Sequence, residues 1–218
     1  MAIIVVGDKT KRFRGEVGTD GLRKKFLVDE KHEGDNIDSL NPWFCELTGL
    51  YYMWKHDKDE IVGLEHYRRY LSIDGKNPIG KKDILDLLSK SDAICAKVDY
   101  VTRPVVTYFG GRGEEFLEYV PKYCEFLEVF KGKKLANMCR DYLKGHVHLL
   151  GNLFISRRSF MDTYCSLMFP CVINFNDAEE HYGRKLYPRI VGYLAEFTMG
   201  ALFAYLGAKV TEVKVVFQ

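Results

Sequence analysis

The stretch Glu60-Ile61-Val62-Gly63-Leu64-Glu65-His66-Tyr67-Arg68-Arg69-Tyr70-Leu71 changes character at its midpoint. Residues 60–64 (EIVGL) form a short apolar run with β-branched members, which reads as a buried strand. An acid, an imidazole and two guanidiniums follow at once. In open α/β sheets, ligands bind beyond the carboxyl ends of the strands. Arginine grips a diphosphate through two parallel charge-assisted hydrogen bonds, and Glu65 can hold a divalent metal that bridges the same phosphates. The same residues also suit an edge strand with a solvated charged face, where Arg68 or Arg69 pairs with surface acids. Alternate residues of an extended chain share a face, so Glu65, Tyr67 and Arg69 point one way and His66, Arg68 and Tyr70 the other. Both arginines reach one ligand only if the chain turns after Glu65. If it stays extended, Arg68 lies on the ligand side with His66.

Outward from this stretch, strands and helices alternate. Residues 2–6 (AIIVV) form a β-branched first strand that ends at Gly7-Asp8, and further strand patterns cover 25–28, 93–96, 146–155 and 210–217. Asn41-Pro42 opens a helix that runs to about His56, with an N-cap followed by proline in the first turn. Apolar spacing predicts further helices over 81–90, 114–130, 134–144, 158–169 and 188–206. Residues 9–40 and 98–113 read as long loops, and loops of that length in a compact domain are often functional. The alternation predicts an α/β fold in a single domain over residues 1–218. A C-terminus directly after a strand suits a piece of a longer polypeptide.

Composition narrows the partners. The chain has 218 residues, 47% apolar and 28% charged, and a net charge of +2, which is ordinary globular usage. No long basic run exists, which argues against a nucleic-acid binder. The 14 tyrosines and 14 phenylalanines suit ring stacking on sugars or bases, and equally a large core. The six cysteines have no CxxC or zinc-finger spacing, which points to free thiols in a reducing compartment. The N-terminus lacks signal-peptide organisation, and no stretch approaches the roughly 20 apolar residues of a membrane span. A cytoplasmic protein, without direct membrane insertion, is expected.

Four other segments carry polar side chains suited to chemistry. Gly34-Asp35-Asn36-Ile37 reads as a turn, and beside the first strand Asp35 and Asn36 can also reach a ribose or base. His146-Val147-His148 puts both imidazoles on one face if it is a strand, but a metal needs a third ligand. Asn152 lies on that face too, where it can meet a sugar hydroxyl. Gly110-Gly111-Arg112-Gly113 matches neither GxGxxG nor a P-loop and suits a flexible loop or lid. Arg189, Gly192 and Glu196 fall on one face of a helix, as a structural ion pair, a solvated face or a polar stripe at a site.

The runs Gly34-Asp35-Asn36-Ile37, Asn41-Pro42-Trp43-Phe44-Cys45-Glu46-Leu47-Thr48 and Gly63-Leu64-Glu65-His66-Tyr67-Arg68-Arg69-Tyr70 together resemble a family of formerly uncharacterised bacterial domains associated with capsular and exopolysaccharide glycosyltransferases. The resemblance continues through Gly151-Asn152-Leu153-Phe154-Ile155, the Arg189–Glu196 segment and the closing strand. The chain also looks like the first domain of a large chlorovirus-encoded glycosyltransferase, in which case the compartment is the host cytoplasm. Phe44 stands for the family's tyrosine and Gly49 for its alanine. The resemblance implies a GT-A-like nucleotide-sugar-binding fold with a central, mostly parallel sheet flanked by helices. It implies a nucleotide-sugar donor, here taken as a UDP-sugar, and a glycan acceptor. It implies a divalent metal, manganese or magnesium, although Glu65-His66-Tyr67 stands where such enzymes carry Asp-x-Asp. On this reading Val6, Gly7, Asp8, Asp35 and Asn36 hold the nucleoside. Glu65, His66, Arg68 and Arg69 hold the diphosphate and any metal, and His148, Asn152, Arg189 and Glu196 surround the sugar. The rival expectations are a non-catalytic nucleotide- or glycan-binding module, and a metal-dependent phosphohydrolase built on His146 and His148.

Overall fold

The computed structural model describes residues 1–97, 99–100, 102–108, 114–149, 151–184 and 186–218. The Gly110–Gly113 loop singled out above lies outside the described residues.

The first strand, β1 (Ala2–Gly7), is fully buried and pairs in parallel with β2 (Arg23–Leu27) on one side and β3 (Ile61–His66) on the other. Between β2 and β3 run α1 (Asn41–Phe44) and α2 (Leu47–His56). One continuous helix was expected here. The chain instead breaks at Cys45, whose φ of 52° lies outside the helical region, and Glu46 becomes the N-cap of α2.

A two-residue turn leads from β3 into the antiparallel β4 (Arg69–Ser72). Then come α3 (Lys81–Leu88) and β5 (Ala93–Ala96), followed by β6 (Asp99–Tyr100), α4 (Val105–Tyr108), α5 (Glu114–Lys131) and α6 (Lys133–Lys144). The strand-like run 146–155 splits into β7 (Val147–His148), which pairs with β6, and β8 (Phe154–Arg157). The last elements are α7 (Arg158–His181), α8 (Ile190–Tyr205) and the closing strand β9 (Val210–Phe217). The helix expected over 158–169 continues twelve residues further, through Pro170.

The main sheet runs β2-β1-β3-β4-β9-β5-β8, and β8 returns to pair with β3. Strands β3, β4, β9, β5 and β8 therefore join in a barrel-like ring, which corrects the mostly parallel sheet expected from the sequence. Of its pairings, β1–β2, β1–β3 and β5–β9 are parallel, and β3–β4, β3–β8, β4–β9 and β5–β8 are antiparallel. The physical reason is that β9 inserts between β4 and β5 and β8 runs against β3, choices made by long-range packing rather than by strand propensity.

Alternation along β1 and β3 feeds two cores. Ile4, Val6, Val62 and Leu64 join the larger one, with Leu50, Met53, Phe169, Leu194 and Phe203 from α2, α7 and α8. Ile3 and Ile61 face the other side, with Ile84 and Leu88 of α3. Each fully buried side chain of this kind contributes about 1.5–3 kcal/mol. Together they fix the carboxyl ends of β1 and β3 in space. Cys95, Cys124, Cys139, Cys165 and Cys171 are buried free thiols, while Cys45 is half-buried. No described helix is long and apolar enough to cross a membrane.

Candidate functional site

The chain leaves β1 toward β2 on one side and returns through α1 and α2 to β3 on the other. Such a reversal of strand order opens a crevice at the carboxyl ends of the strands. A cleft of about 410 Å³ lies there, within the range of small-molecule sites. Val6, Gly7, Asp8 and Lys11 line it from the end of β1, and His66, Tyr67 and Arg68 from the end of β3. Asn41, Pro42, Cys45 and Glu46 cover it from the α1–α2 break, and Arg189 from the start of α8. An inner recess shares Cys45, Glu46, His66, Arg68 and Arg189 with this cleft and adds Arg69, Gly192, Tyr193 and Glu196.

The β3–β4 turn places Tyr67 and Arg68 at its tip and pairs His66 with Arg69. The chain thus turns shortly after Glu65, and both arginines reach the recess. The extended alternative, in which only Arg68 faces it, is not what forms. Glu65 goes elsewhere. Its carboxylate accepts hydrogen bonds from Arg23 Nε at 2.7 Å and Nη2 at 3.2 Å, and from the Leu71 amide at 2.9 Å. It is fully buried, on the sheet face opposite His66. Its assignment to a metal is corrected by this geometry, because its oxygens are occupied by Arg23 and the backbone.

Two other expected groupings do not assemble. Asp35 accepts a hydrogen bond from the Tyr51 hydroxyl at 2.9 Å and faces Lys55 at 3.4 Å. Asn36 donates to His32 O and Gly34 O. Both build their own loop, as turn residues do, and line neither the cleft nor the recess. His146 is exposed in the bend before β7, whereas His148 is buried behind the recess. The two imidazoles therefore do not share one strand face, because the strand begins only after His146.

The inner end of the recess is acidic. Asn152 Nδ2 donates to Glu46 Oε1 at 2.9 Å, and the Gly151 amide donates to Glu196 Oε1 at 3.1 Å. His148 Nε2 lies 3.6 Å from the same Glu196 oxygen. Burial raises the pKa of the Glu46 carboxyl, and the neighbouring Glu196 adds to the effect. The outer part is cationic, with Lys11, Arg68, Arg69 and Arg189. Burial first, then Arg69, Arg68 and Arg189, press the His66 pKa down to about 3, so this imidazole is neutral near pH 7. Its buried Nδ1 has no hydrogen-bond partner among the described residues.

Backbone strain collects at the same place. Among the described residues, Cys45 (φ 52°) and Arg189 (φ 68°) are the non-glycine positions with positive φ. Both line the recess. The Arg189 amide donates to Pro42 O at 2.7 Å. A Cβ at Gly192 would lie 3.3 Å from Phe44 O and 3.4 Å from Cys45 Cβ, so α8 meets the α1–α2 break at close range. Strain of this kind costs about 1–3 kcal/mol per residue and persists where the surroundings enforce it, often at binding sites.

The structure thus gathers Val6, Gly7, Asp8, His66, Arg68, Arg69, Arg189 and Glu196 on one crevice, with Asn152 and His148 directly behind it. Sequence reasoning missed Lys11, Cys45, Glu46 and Tyr193. Glu46 carried a signal: it is an acid within the otherwise apolar pattern 43–54 (WFCELTGLYYMW).

These features define an α/β protein with a cation-lined crevice at a strand-order reversal. The apo structure of WbbM, a bifunctional glycosyltransferase, shares the fold: the TM-score is 0.75, with 22% identity over 99% of this chain and 45% of that one. The chain therefore spans less than half the length of WbbM. No curated protein matches it. Residues 4–205 match the family described as a domain of unknown function, DUF4422, and the chain belongs to that family.

Proposed function

We propose that this domain is a glycosyltransferase of GT-A-like descent. It takes a sugar from a nucleoside-diphosphate donor, of which a UDP-sugar is the expected kind, and moves it to a hydroxyl of a glycan. One observation carries the reading: four cationic side chains, the half-buried Glu46 and the buried Glu196 converge on one crevice at the carboxyl ends of β1 and β3. WbbM, whose fold this chain shares, is described as a bifunctional glycosyltransferase.

In this reading the nucleoside lies along Val6, Gly7 and Asp8. Lys11, Arg68, Arg69 and Arg189 hold the diphosphate, with neutral His66 as a further hydrogen-bonding group. The sugar lies in the cleft beside Glu46, at the mouth of the recess that Glu196 lines. During transfer the acceptor oxygen bonds to the anomeric carbon and the bond from that carbon to the phosphate oxygen breaks. The acceptor's proton passes to Glu196, and the departing diphosphate takes the bonding electrons. Fixed cations around the leaving phosphate interact more strongly as its charge develops, which is where they lower the barrier. Burial, with the neighbouring Glu196, raises the pKa of Glu46, which favours its protonated form as a hydrogen-bond donor to the sugar.

A divalent metal, manganese or magnesium, is implied by the resemblance. The residues at the end of β3 do not fit one. Glu65 is committed to Arg23, and among the described residues no three His, Cys, Asp or Glu side chains are disposed to hold an ion.

The test is a thermal-shift measurement with UDP, followed by transfer assays with a panel of UDP-sugars and added glycans. A ligand that binds only the folded state raises its apparent stability by mass action. UDP at millimolar concentration is expected to raise the melting temperature. Glu196→Gln should retain that shift and lose transfer by about a hundred-fold or more, the scale of general-base catalysis. Absence of any shift with UDP overturns the nucleotide reading. Binding without transfer to any glycan favours a non-catalytic module.

A further inference from the structure

A chain of polar groups runs from the back of the recess into the core, and none of the roles above uses its far end. Tyr142, on the last turn of α6, approaches α8 at Gly200, where a built Cβ would fall 2.4–2.7 Å from atoms of the phenol ring. Any side chain at position 200 would displace that ring. The Tyr142 hydroxyl accepts the Leu149 amide at 2.9 Å and lies 3.2 Å from His148 Nδ1. On the far side of the imidazole, Nε2 lies 3.6 Å from Glu196 Oε1. Glu196 in turn holds the Gly151 amide and lines the recess.

We propose that Tyr142 and His148 are positioning residues for Glu196: the phenol donates to His148 Nδ1, which leaves the proton on Nε2 and turns it toward the Glu196 carboxylate. The proposal rests on the reading of Glu196 as the group that accepts the acceptor's proton.

Donor and acceptor roles along the chain are constrained. The amide of Leu149 can only donate, so the phenol oxygen receives it and its own hydrogen is available to Nδ1. Burial, as the largest influence, pushes the Tyr142 pKa up to about 12, so the phenol keeps that hydrogen at neutral pH. An imidazole that accepts at Nδ1 carries its proton on Nε2. The 3.6 Å separation is an electrostatic contact rather than a full hydrogen bond, and catalytic contacts often tighten only when substrate arrives. The other titratable and charged groups facing the recess are Cys45 and Glu46 from the α1–α2 break, His66, Arg68 and Arg69 from the β3–β4 turn, and Arg189 and Tyr193 from α8. Tyr142→Phe touches none of them.

The experiment is NMR on the whole chain without substrate. The 15N shifts of His148 report its tautomer, and 13C-labelled glutamate reports the titration of Glu196. Wild-type protein is expected to show His148 with the proton on Nε2. Tyr142→Phe is expected to mix the two tautomers and to raise the proton affinity of Glu196 by a few-fold, less than the roughly tenfold of one full hydrogen bond to a charged group. The direction follows from the loss of a donor that favours the ionised form. A wild-type His148 protonated on Nδ1 overturns the proposal. So does a folded Tyr142→Phe variant whose Glu196 titrates as in wild type. UDP thermal shifts, measured in parallel, separate the two levels: a variant that keeps the UDP shift tests the relay alone. If wild-type protein gives no UDP shift, the functional reading itself fails, whatever His148 does.

Discussion

Replacing Glu65 by glutamine separates a structural role from a ligand role. Arg23 and Glu65 have 1% and 0% side-chain exposure and meet at 2.7 Å. Glutamine keeps the shape and an oxygen for the Leu71 amide but removes the charge that faces the guanidinium. Breaking a buried pair by removing one partner costs about 3–5 kcal/mol, because the remaining charge is left uncompensated. Here Asp20 Oδ2 at 2.9 Å and Ile79 O at 3.1 Å still hold Arg23, so the lower end applies, about 3 kcal/mol. For a chain of this size that corresponds to a fall of roughly 6–12 °C in melting temperature. The assay is urea unfolding followed by two probes, with UDP binding measured below the transition. The variant should be clearly less stable and bind UDP as well as wild type does. Unchanged stability together with lost UDP binding, or with the loss of a manganese response, would refute the structural account and return Glu65 to the ligand site.

Two further outcomes follow from the crevice. Arg68→Ala and Arg69→Ala should each lower transfer about a hundred- to thousand-fold, the cost of losing one preorganised contact to developing charge. Arg157→Ala should leave it unchanged, since the exposed Arg157–Glu60 pair belongs to a class worth about 0–1 kcal/mol. Near-normal turnover and UDP affinity in both crevice variants would contradict the diphosphate assignment. His66 has a folded pKa of about 3, below the ordinary value of about 6.5, so the unfolded chain takes up a proton that the folded one refuses. Stability contributed by neutral His66 is present above about pH 6.5 and is lost as pH falls toward 3. The melting temperature should therefore drop between pH 7 and 5, and less so in His66→Asn. Identical pH dependence in the two proteins would show that His66 is not the group responsible.

Local patterns were legible without a fold. The strands at 2–6, 60–64 and 210–217 announce themselves as runs rich in β-branched residues and that at 93–96 as a short apolar one, and α3, α5, α6 and α8 follow from apolar spacing, because periodicity reflects which face each element buries. The crevice residues at the ends of β1 and β3 were also legible, since polar side chains directly after a buried strand stand at a fixed edge. What the sequence left open was decided by contacts between distant residues. The mixed sheet depends on β9 entering between β4 and β5, and the β3–β4 turn is what brings Arg69 in beside Arg68. Glu65 is withdrawn from the site by Arg23, forty-two positions earlier, while Glu46 is drawn in through Asn152, 106 positions later. His148 is separated from His146 by the point at which β7 begins. Sequence spacing specifies neighbours along one helix or strand. Which acid meets which base across the core is set by packing, where an unpaired buried charge costs more than any local preference can supply.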